Sequence, residues 1–310
     1  TFMEIIIKFC CDLKAIETQV TQKLGDTILD ISDSIFILQL GQRATNLEIS
    51  IACYENLLNI FPSHTFQWAY TQNSLGRAYS ERIRGQEAEN VERAIAAFNA
   101  ALEVHTRKNF SENWAKTTMN LGNAYSDRIR GERAENVERA ISYYNTALVV
   151  LTREKFPQYW AITQMNLGSI YRNCIQGDKA ENVERAISYY NTALVILTRE
   201  RFPQYWAMLQ RNLGIAYRNR IRGEKAENVE RSTSYYKTAL VVLTREKFPQ
   251  YWAMLQMDLG IAYSNRIREE KAKNLERAIA YYEAALKVLT KQAFPQDWAI
   301  TQMNLANAYR

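Results

Sequence analysis

The sequence predicts an all-α fold, a solenoid built from antiparallel helix pairs. All six tryptophans lie 46 residues apart, at Trp68, Trp114, Trp160, Trp206, Trp252 and Trp298. The residues around them repeat with the same period, as in the Phe-Pro-Gln-Tyr-Trp segments that end at Trp160 and Trp206. Apolar residues recur at helical spacing, and no stretch alternates with period two. A fixed period of this length is typical of stacked repeats, which bury their apolar faces against their neighbours.

Composition supports an ordered, elongated domain. The chain has 310 residues, of which 47% are hydrophobic, and only 11 are glycine and 5 proline. These proportions exclude a low-complexity or disordered segment. The net charge of +6 permits an acidic partner or nucleic acid without requiring either.

The first helix of a repeat is predicted to begin near Pro157, because the first turn tolerates the missing N–H of proline. Its apolar residues fall at spacings of three, four and seven: Trp160, Leu167, Ile170, Tyr171 and Cys174. Gly177 is predicted to end this helix.

Asn182 is a predicted N-cap for the second helix, with Glu184 in its first turn. The helix then continues through Leu197. Small residues stand where the two helices must approach closely, at Gly168, Ala186 and Ala193. Each repeat is therefore predicted to be one antiparallel helix pair.

These motifs resemble the tetratricopeptide repeat. Leu-Gly-x-Ala-Tyr followed by Ala-x-x-x-Tyr-x-x-Ala-Leu recurs in phase, with one matched set at Leu121, Gly122, Tyr125, Ala140, Tyr144, Ala147 and Leu148. The resemblance covers roughly residues 42–310 and implies a right-handed superhelix whose first helices line a concave groove. The usual repeat has about 34 residues, so the longer unit here implies a different superhelical pitch.

A second resemblance concerns the longer motifs. Arg-Ile-Arg-Gly, Ala-Glu-Asn-Val-Glu-Arg and Phe-Pro-Gln-x-Trp are similar to segments of repeat arrays in large bacterial, often cyanobacterial, proteins. Those arrays often precede a caspase-like CHAT peptidase domain, and these 310 residues contain no such domain. The resemblance implies a scaffold that could regulate an attached effector domain.

The chain is predicted to divide into two parts. Residues 1–41 form either an N-terminal helical cap or the end of an upstream region, and residues 42–310 form the array, with about five full units and partial units at both ends. Because the chain opens on Thr1 and stops at Arg310 within a repeat, it is expected to be a piece of a longer protein.

A cytoplasmic location is expected. The apolar stretch from Met3 to Val20 carries five charged residues, too many for a signal peptide or a membrane span. The four cysteines follow neither the repeat nor a metal-ligand spacing, and they are interpreted as buried thiols in a reducing compartment: Cys10, Cys11, Cys53 and Cys174.

The side of each first helix opposite its core face is the candidate partner-binding surface. Otherwise similar units differ along this stripe, as a surface fitted to an irregular ligand would. Exposed methionines there would suit apolar side chains of a protein or peptide partner. The predicted binding residues are Arg77, Met119, Asn123, Met165, Arg172, Asn173, Arg211, Ile215, Arg218, Asn219, Met257, Ile261 and Asn265. The alternative is neutral drift at exposed positions.

Two rows of asparagine accompany the stripe. Asn173, Asn219 and Asn265 could hold the backbone of an extended peptide, because an amide both donates and accepts. A second row precedes each repeat leucine, and we interpret it as satisfying polar groups within the protein: Asn120, Asn166, Asn212 and Asn304.

Arginine pairs recur along one edge and suggest an alternative, nucleic-acid binding: Arg82 and Arg84, Arg128 and Arg130, Arg220 and Arg222, and Arg266 and Arg268. Glu132, Glu135 and Glu138 follow closely, so a salt-bridge network is the favoured interpretation and nucleic acid the less favoured partner.

A third possibility is a structural spacer that self-associates through the open last unit, which ends at Arg310. The two histidines, His64 and His105, match no triad or metal motif, so neither catalysis nor a cofactor is expected.

Overall fold

The computed structural model describes residues 18–38, 43–174, 176–268 and 270–310, and these ranges contain thirteen α-helices and no strand. The helices are α1 (Thr18–Ile37), α2 (Arg43–Leu57), α3 (Phe66–Ser80), α4 (Glu87–Val104), α5 (Ser111–Asp127), α6 (Arg133–Leu148), α7 (Pro157–Asn173), α8 (Lys179–Leu194), α9 (Pro203–Arg218), α10 (Lys225–Leu240), α11 (Pro249–Ser264), α12 (Lys271–Leu286) and α13 (Pro295–Ala308). The predicted all-α class is confirmed. The handedness of the superhelix stays a prediction.

The chain divides into two compact units, Thr1–Tyr159 and Trp160–Arg310. The first unit contains the helix pairs α1–α2, α3–α4 and α5–α6, and each pair also packs on the next. The second unit contains most of α7 with α8, the pairs α9–α10 and α11–α12, and α13. Short loops join the helices of each pair, so the two helices run antiparallel.

Helices α1 and α2 form a pair like the later ones, such as α5 and α6. The Tyr54 hydroxyl of α2 donates to Oδ1 of Asp33 in α1 at 2.6 Å. The Tyr144 hydroxyl of α6 donates to Asn123 of α5 at 2.7 Å over the same sequence separation. The predicted N-terminal cap thus includes a helix that serves as the first member of a pair. Residues 1–17 and 39–41 lie outside the described residues.

Proline begins four of the first helices as predicted, but the prediction that Gly177 ends α7 is wrong. Helices α7, α9, α11 and α13 each begin with proline, where a missing N–H leaves no helical hydrogen bond unmade. Helix α7 ends at Asn173, four residues before Gly177, which has a φ of 77° in the loop. The left-handed region favours glycine, so Gly177 turns the loop after the helix has ended.

The prediction that Asn182 caps the second helix is wrong by one turn. Asp178 is the N-cap of α8, and its side chain accepts from the Glu181 N–H at 2.8 Å. Asn182 is buried inside the first turns, and its Nδ2 donates to the Gln176 carbonyl of the preceding loop at 2.6 Å. The equivalent residues make the same loop bond at 2.8–2.9 Å: Asn90, Asn136, Asn228 and Asn274. A buried amide thus satisfies a loop carbonyl that no helix can satisfy.

The core of each pair depends on close approach between its helices. A Cβ on Gly168 would lie 2.7 Å from Cε1 of Tyr190, well inside van der Waals contact. Tyr190, Ala186 and Ala193 are fully buried. The tryptophans are only half-buried, and the guanidinium of Arg199 lies over Trp206 at 5.7 Å. Small residues at the crossing and a tyrosine beside it therefore form the centre of the pair, and the indoles lie nearer its rim.

Candidate partner-binding face

The structure places the predicted binding residues on the first helices α3, α5, α7, α9 and α11, with Asn219 and Asn265 immediately after α9 and α11. We call these thirteen residues the binding face, of which three lie in the first unit and ten in the second. They fall into three groups by exposure: the asparagines at the helix C-termini are exposed, the methionines are buried, and the others are half-buried.

The prediction of exposed methionines is wrong. Met119, Met165 and Met257 are only 5%, 6% and 7% exposed. Met257 packs with Ala253, Ala285 and Leu289 in one apolar cluster. A first helix within an array contacts both its own partner and helices of neighbouring pairs, so the thioethers fill space between helices. They contribute packing and cannot form the predicted apolar lining of an open groove.

The exposed asparagines lie where the first helices end. Asn173 is the last residue of α7, and Asn219 and Asn265 are the C-cap residues of α9 and α11. Nδ2 of Asn265 donates to the Ile261 carbonyl of its own helix at 3.0 Å. Its Oδ1 is then the atom best placed to accept from another molecule.

Several half-buried residues of the binding face have partners within the protein. Asn123 accepts the Tyr144 hydroxyl, and the Arg77 guanidinium lies 4.7 Å from the centre of the Phe36 ring. Ile215 and Ile261 pack against the apolar core of the second unit. For these four residues a structural role accounts for the residue type.

A buried carboxylate lies between two arginines of the binding face. Arg211 Nε is 2.7 Å from Oδ2 of Asp258, and Arg218 Nη1 is 3.2 Å from Oδ1 of the same residue. Asp258 is only 3% exposed. The two arginines lie on α9 and the aspartate on α11, so the cluster joins consecutive first helices. Burial raises the pKa of the nearby Asp297, and Arg211 opposes that rise.

Sequence reasoning missed Asp258, although the sequence contained a signal. Other units have asparagine at this position, as in Asn212 and Asn304. The change to aspartate coincides with arginine at 211, where both neighbouring units have methionine; position 218 is arginine here and in the preceding unit but serine in the following one. An arginine that replaces methionine in one unit and an aspartate that replaces asparagine in the next indicate contact between the two units.

The second asparagine row has an internal role where the structure shows it. Nδ2 of Asn120 on α5 donates to Oδ1 of Asn73 on α3 at 3.1 Å. This bond joins the first helices of consecutive pairs. The favoured interpretation of this row is therefore confirmed for Asn120.

The arginine edge forms salt bridges, but with different partners from those predicted. The first arginine of each recurring pair binds a glutamate about 36 residues earlier, on the second helix of the preceding pair, and not the acidic residues that follow it. Each glutamate receives bonds from two guanidinium nitrogens. The pairs are Arg82–Glu48, Arg128–Glu92, Arg220–Glu184 and Arg266–Glu230. The second arginines are solvent-exposed: Arg84, Arg130, Arg222 and Arg268.

No model of a known protein family matches this chain, and no curated protein is significantly similar to it. Among the described residues, no helix combines the length and apolar character needed to cross a lipid bilayer.

Proposed function

We propose that the chain is a non-catalytic, tetratricopeptide-like scaffold that binds a peptide or protein partner on its first helices. One observation carries the proposal: near-identical helix pairs differ mainly on the binding face, where charged and polar residues remain at least partly accessible. Packing alone would favour the same residue in every unit, because the surrounding core is nearly the same. A cytoplasmic site of action and an attached effector domain belong to this proposal.

The second unit offers the more polar part of the binding face. It contains Arg172, Arg211 and Arg218, together with the exposed asparagines at 173, 219 and 265. Guanidinium groups and amides hydrogen-bond both to peptide carbonyls and to carboxylates. Their spacing by one repeat suits an extended segment that meets successive first helices.

The proposal is tested with a library of random 12-residue peptides displayed on phage. Peptides enriched on the wild-type chain are measured against the variant N173A/N219A/N265A and the control S188A/S234A, which alters exposed positions of α8 and α10. We expect the first variant to weaken binding about tenfold, the effect of losing roughly 1.4 kcal/mol, and the control to bind normally. Failure to enrich any peptide, or equal binding by all three proteins, would contradict the proposal.

Nucleic-acid binding is the less favoured function. Four of the eight edge arginines are held by glutamates, which leaves one exposed arginine in each of four repeats for phosphates. A phosphate-dependent complex should weaken steeply between about 50 and 200 mM salt. Gel-shift titration with labelled DNA and RNA at both salt concentrations measures this.

A further inference from the structure

The guanidinium of Arg172 is buried in part without an acceptor. Arg172 lies in the last turn of α7 and is half-buried as a residue. Its Nε and Nη1 are inaccessible to solvent, and neither has a hydrogen-bond partner among the described residues. Buried N–H groups nearly always have acceptors, and this is especially so for charged donors.

The corresponding arginine one repeat later shows what such a group requires. Arg218 occupies the same position on α9 and is bound by the buried carboxylate of Asp258, which Arg211 also contacts. The residues 46 positions before this cluster are different. Arg172 stands at the position of Arg218, but Asn212 stands at that of Asp258 and Met165 at that of Arg211. The arginine is thus present in both repeats, but the acid is present in only one. Arg172 lacks the negative charge that accompanies its counterpart.

Two hydroxyl groups belong to the surroundings of Arg172, those of Ser169 and Tyr190. The hydroxyls of Ser169 and Tyr190 lie 3.2 Å apart. Burial raises the pKa of Tyr190, and the neighbouring Arg172 opposes that rise. The Ser169 hydroxyl already donates to the Met165 carbonyl at 3.2 Å, so the guanidinium is the group here that would bind a carboxylate.

We propose that Arg172 binds an acidic side chain of the partner, a glutamate or aspartate of the segment that crosses α7. This inference rests on the proposed peptide-binding function and specifies its chemistry. Because Nε and Nη1 are inaccessible in this conformation, a carboxylate reaches them after a rotamer change of the partly buried Arg172. The planar guanidinium then forms two parallel hydrogen bonds with the carboxylate. The partner supplies the charge that Asp258 supplies to Arg218.

The repeat itself provides a matched substitution. Serine occupies the position of Arg172 in three other units, at Ser80, Ser126 and Ser264, so R172S is compatible with the fold. R222S removes the same charge from an exposed loop and controls for non-specific attraction. R218S removes an arginine that has an internal partner and controls for a structural role.

The experiment selects the 12-residue library in parallel on wild type, R172S and R222S, and it counts Asp and Glu among enriched peptides. We expect acid enrichment on wild type and R222S, and its loss on R172S. The best wild-type peptide, resynthesised with Gln or Asn for its acids, should bind wild type about tenfold more weakly and should show no such difference on R172S. In urea without peptide, R172S should unfold at or above the wild-type midpoint, and R218S below it.

The outcomes separate the two proposals. Enriched peptides without acidic residues, or acid enrichment that survives in R172S, would overturn the role of Arg172 and leave peptide binding intact. A loss of stability in R172S as large as that in R218S would show that the guanidinium is structural and would also overturn it. If no library peptide binds wild type, peptide binding itself is wrong, and this inference falls with it.

Discussion

Nε of Arg211 on α9 lies 2.7 Å from Oδ2 of Asp258 on α11, and Arg218 holds the second oxygen of the same carboxylate. Removing a carboxylate from water is costly unless it is paired and hydrogen-bonded. One repeat later the same three positions hold Met257, Ser264 and Asn304. The array therefore has an ionic set of residues at these positions in one repeat and a neutral set in the next.

Neutralising Asp258 alone should be strongly destabilising. D258N leaves two partly buried guanidinium groups without a counter-charge, and we expect a loss of about 2–4 kcal/mol in the free energy of unfolding. Chemical denaturation followed by circular dichroism measures the loss.

The neutral set provides the control for this prediction. The triple variant R211M/R218S/D258N reproduces the residue types at 257, 264 and 304. It should recover most of the stability, to within about 1 kcal/mol of wild type. If the triple variant is less stable than D258N, the three positions are not a coupled set.

The inter-repeat bond between Arg266 and Glu230 should contribute to stability in a pH-dependent way. Hydrogen bonds from Arg266 lower the pKa of Glu230 below its ordinary value. The carboxylate is therefore favoured in the folded state, so its contribution is full above the unfolded pKa of about 4.3 and disappears as the pH falls through the lower folded value. E230Q should be less stable than wild type by about 1 kcal/mol at pH 7, and the difference should shrink below about pH 4.

The exposed pair Arg231–Glu227 on α10 is the matched control for this bond. E227Q should change stability by no more than about 0.5 kcal/mol, as usual for an exposed i, i+4 pair. If E227Q and E230Q lower the free energy of unfolding equally, the bond between repeats contributes no more to stability than an exposed pair within one helix.

The helix pairs were predictable because their determinants are local and repeated. Gly168 must accept Tyr190 at close range, and a proline such as Pro203 favours a helix start in any context. Asn182 was misassigned because an asparagine one turn inside a helix and one at its start look alike in sequence. Helix α1 was less visible because Ser32 stands where later units have the recurring glycine.

The binding face was harder to predict than the fold. The repeat period of the sequence shows which residues lie on the same side of each first helix. It does not show whether a neighbouring helix covers that side. Met165 was therefore expected in solvent and is buried between helices. The Asp258 cluster depends on residues 40 and 47 positions apart, so only a comparison of complementary changes between units reveals it.

Gly168 should tolerate no side chain. A Cβ there would lie 2.7 Å from Cε1 of Tyr190 and 3.2 Å from the Ala186 carbonyl oxygen, and the carbonyl belongs to helix backbone that cannot move aside. We expect G168A to lose about 1–3 kcal/mol of stability through overpacking, although alanine favours helices by about 1 kcal/mol over glycine. Thermal denaturation measures it, with the exposed S188A as the control. A G168A variant as stable as wild type would mean that the two helices can separate without penalty.

His105 stands where the following units have a buried leucine, at 151, 197, 243 and 289. It is 1% exposed, its Nδ1 lies 3.3 Å from the Thr117 hydroxyl, and its Nε2 has no partner among the described residues. Burial lowers its pKa to about 4, so the folded state holds the imidazole neutral. The unfolded chain binds the proton near pH 6.5, and stability must therefore fall as the pH drops from about 6.5 to about 4.

H105L should remove that part of the pH dependence. At pH 7.5 the variant should be at least as stable as wild type, because leucine leaves no buried nitrogen unsatisfied. The difference should then widen by up to about 3 kcal/mol as the pH falls to about 4. The urea midpoints of both proteins across this pH range measure the change in stability. Subtracting one profile from the other removes the contributions of titrating groups that both proteins contain. Parallel pH profiles would show that the imidazole becomes protonated without opening the structure, and the burial of His105 would then not control acid stability.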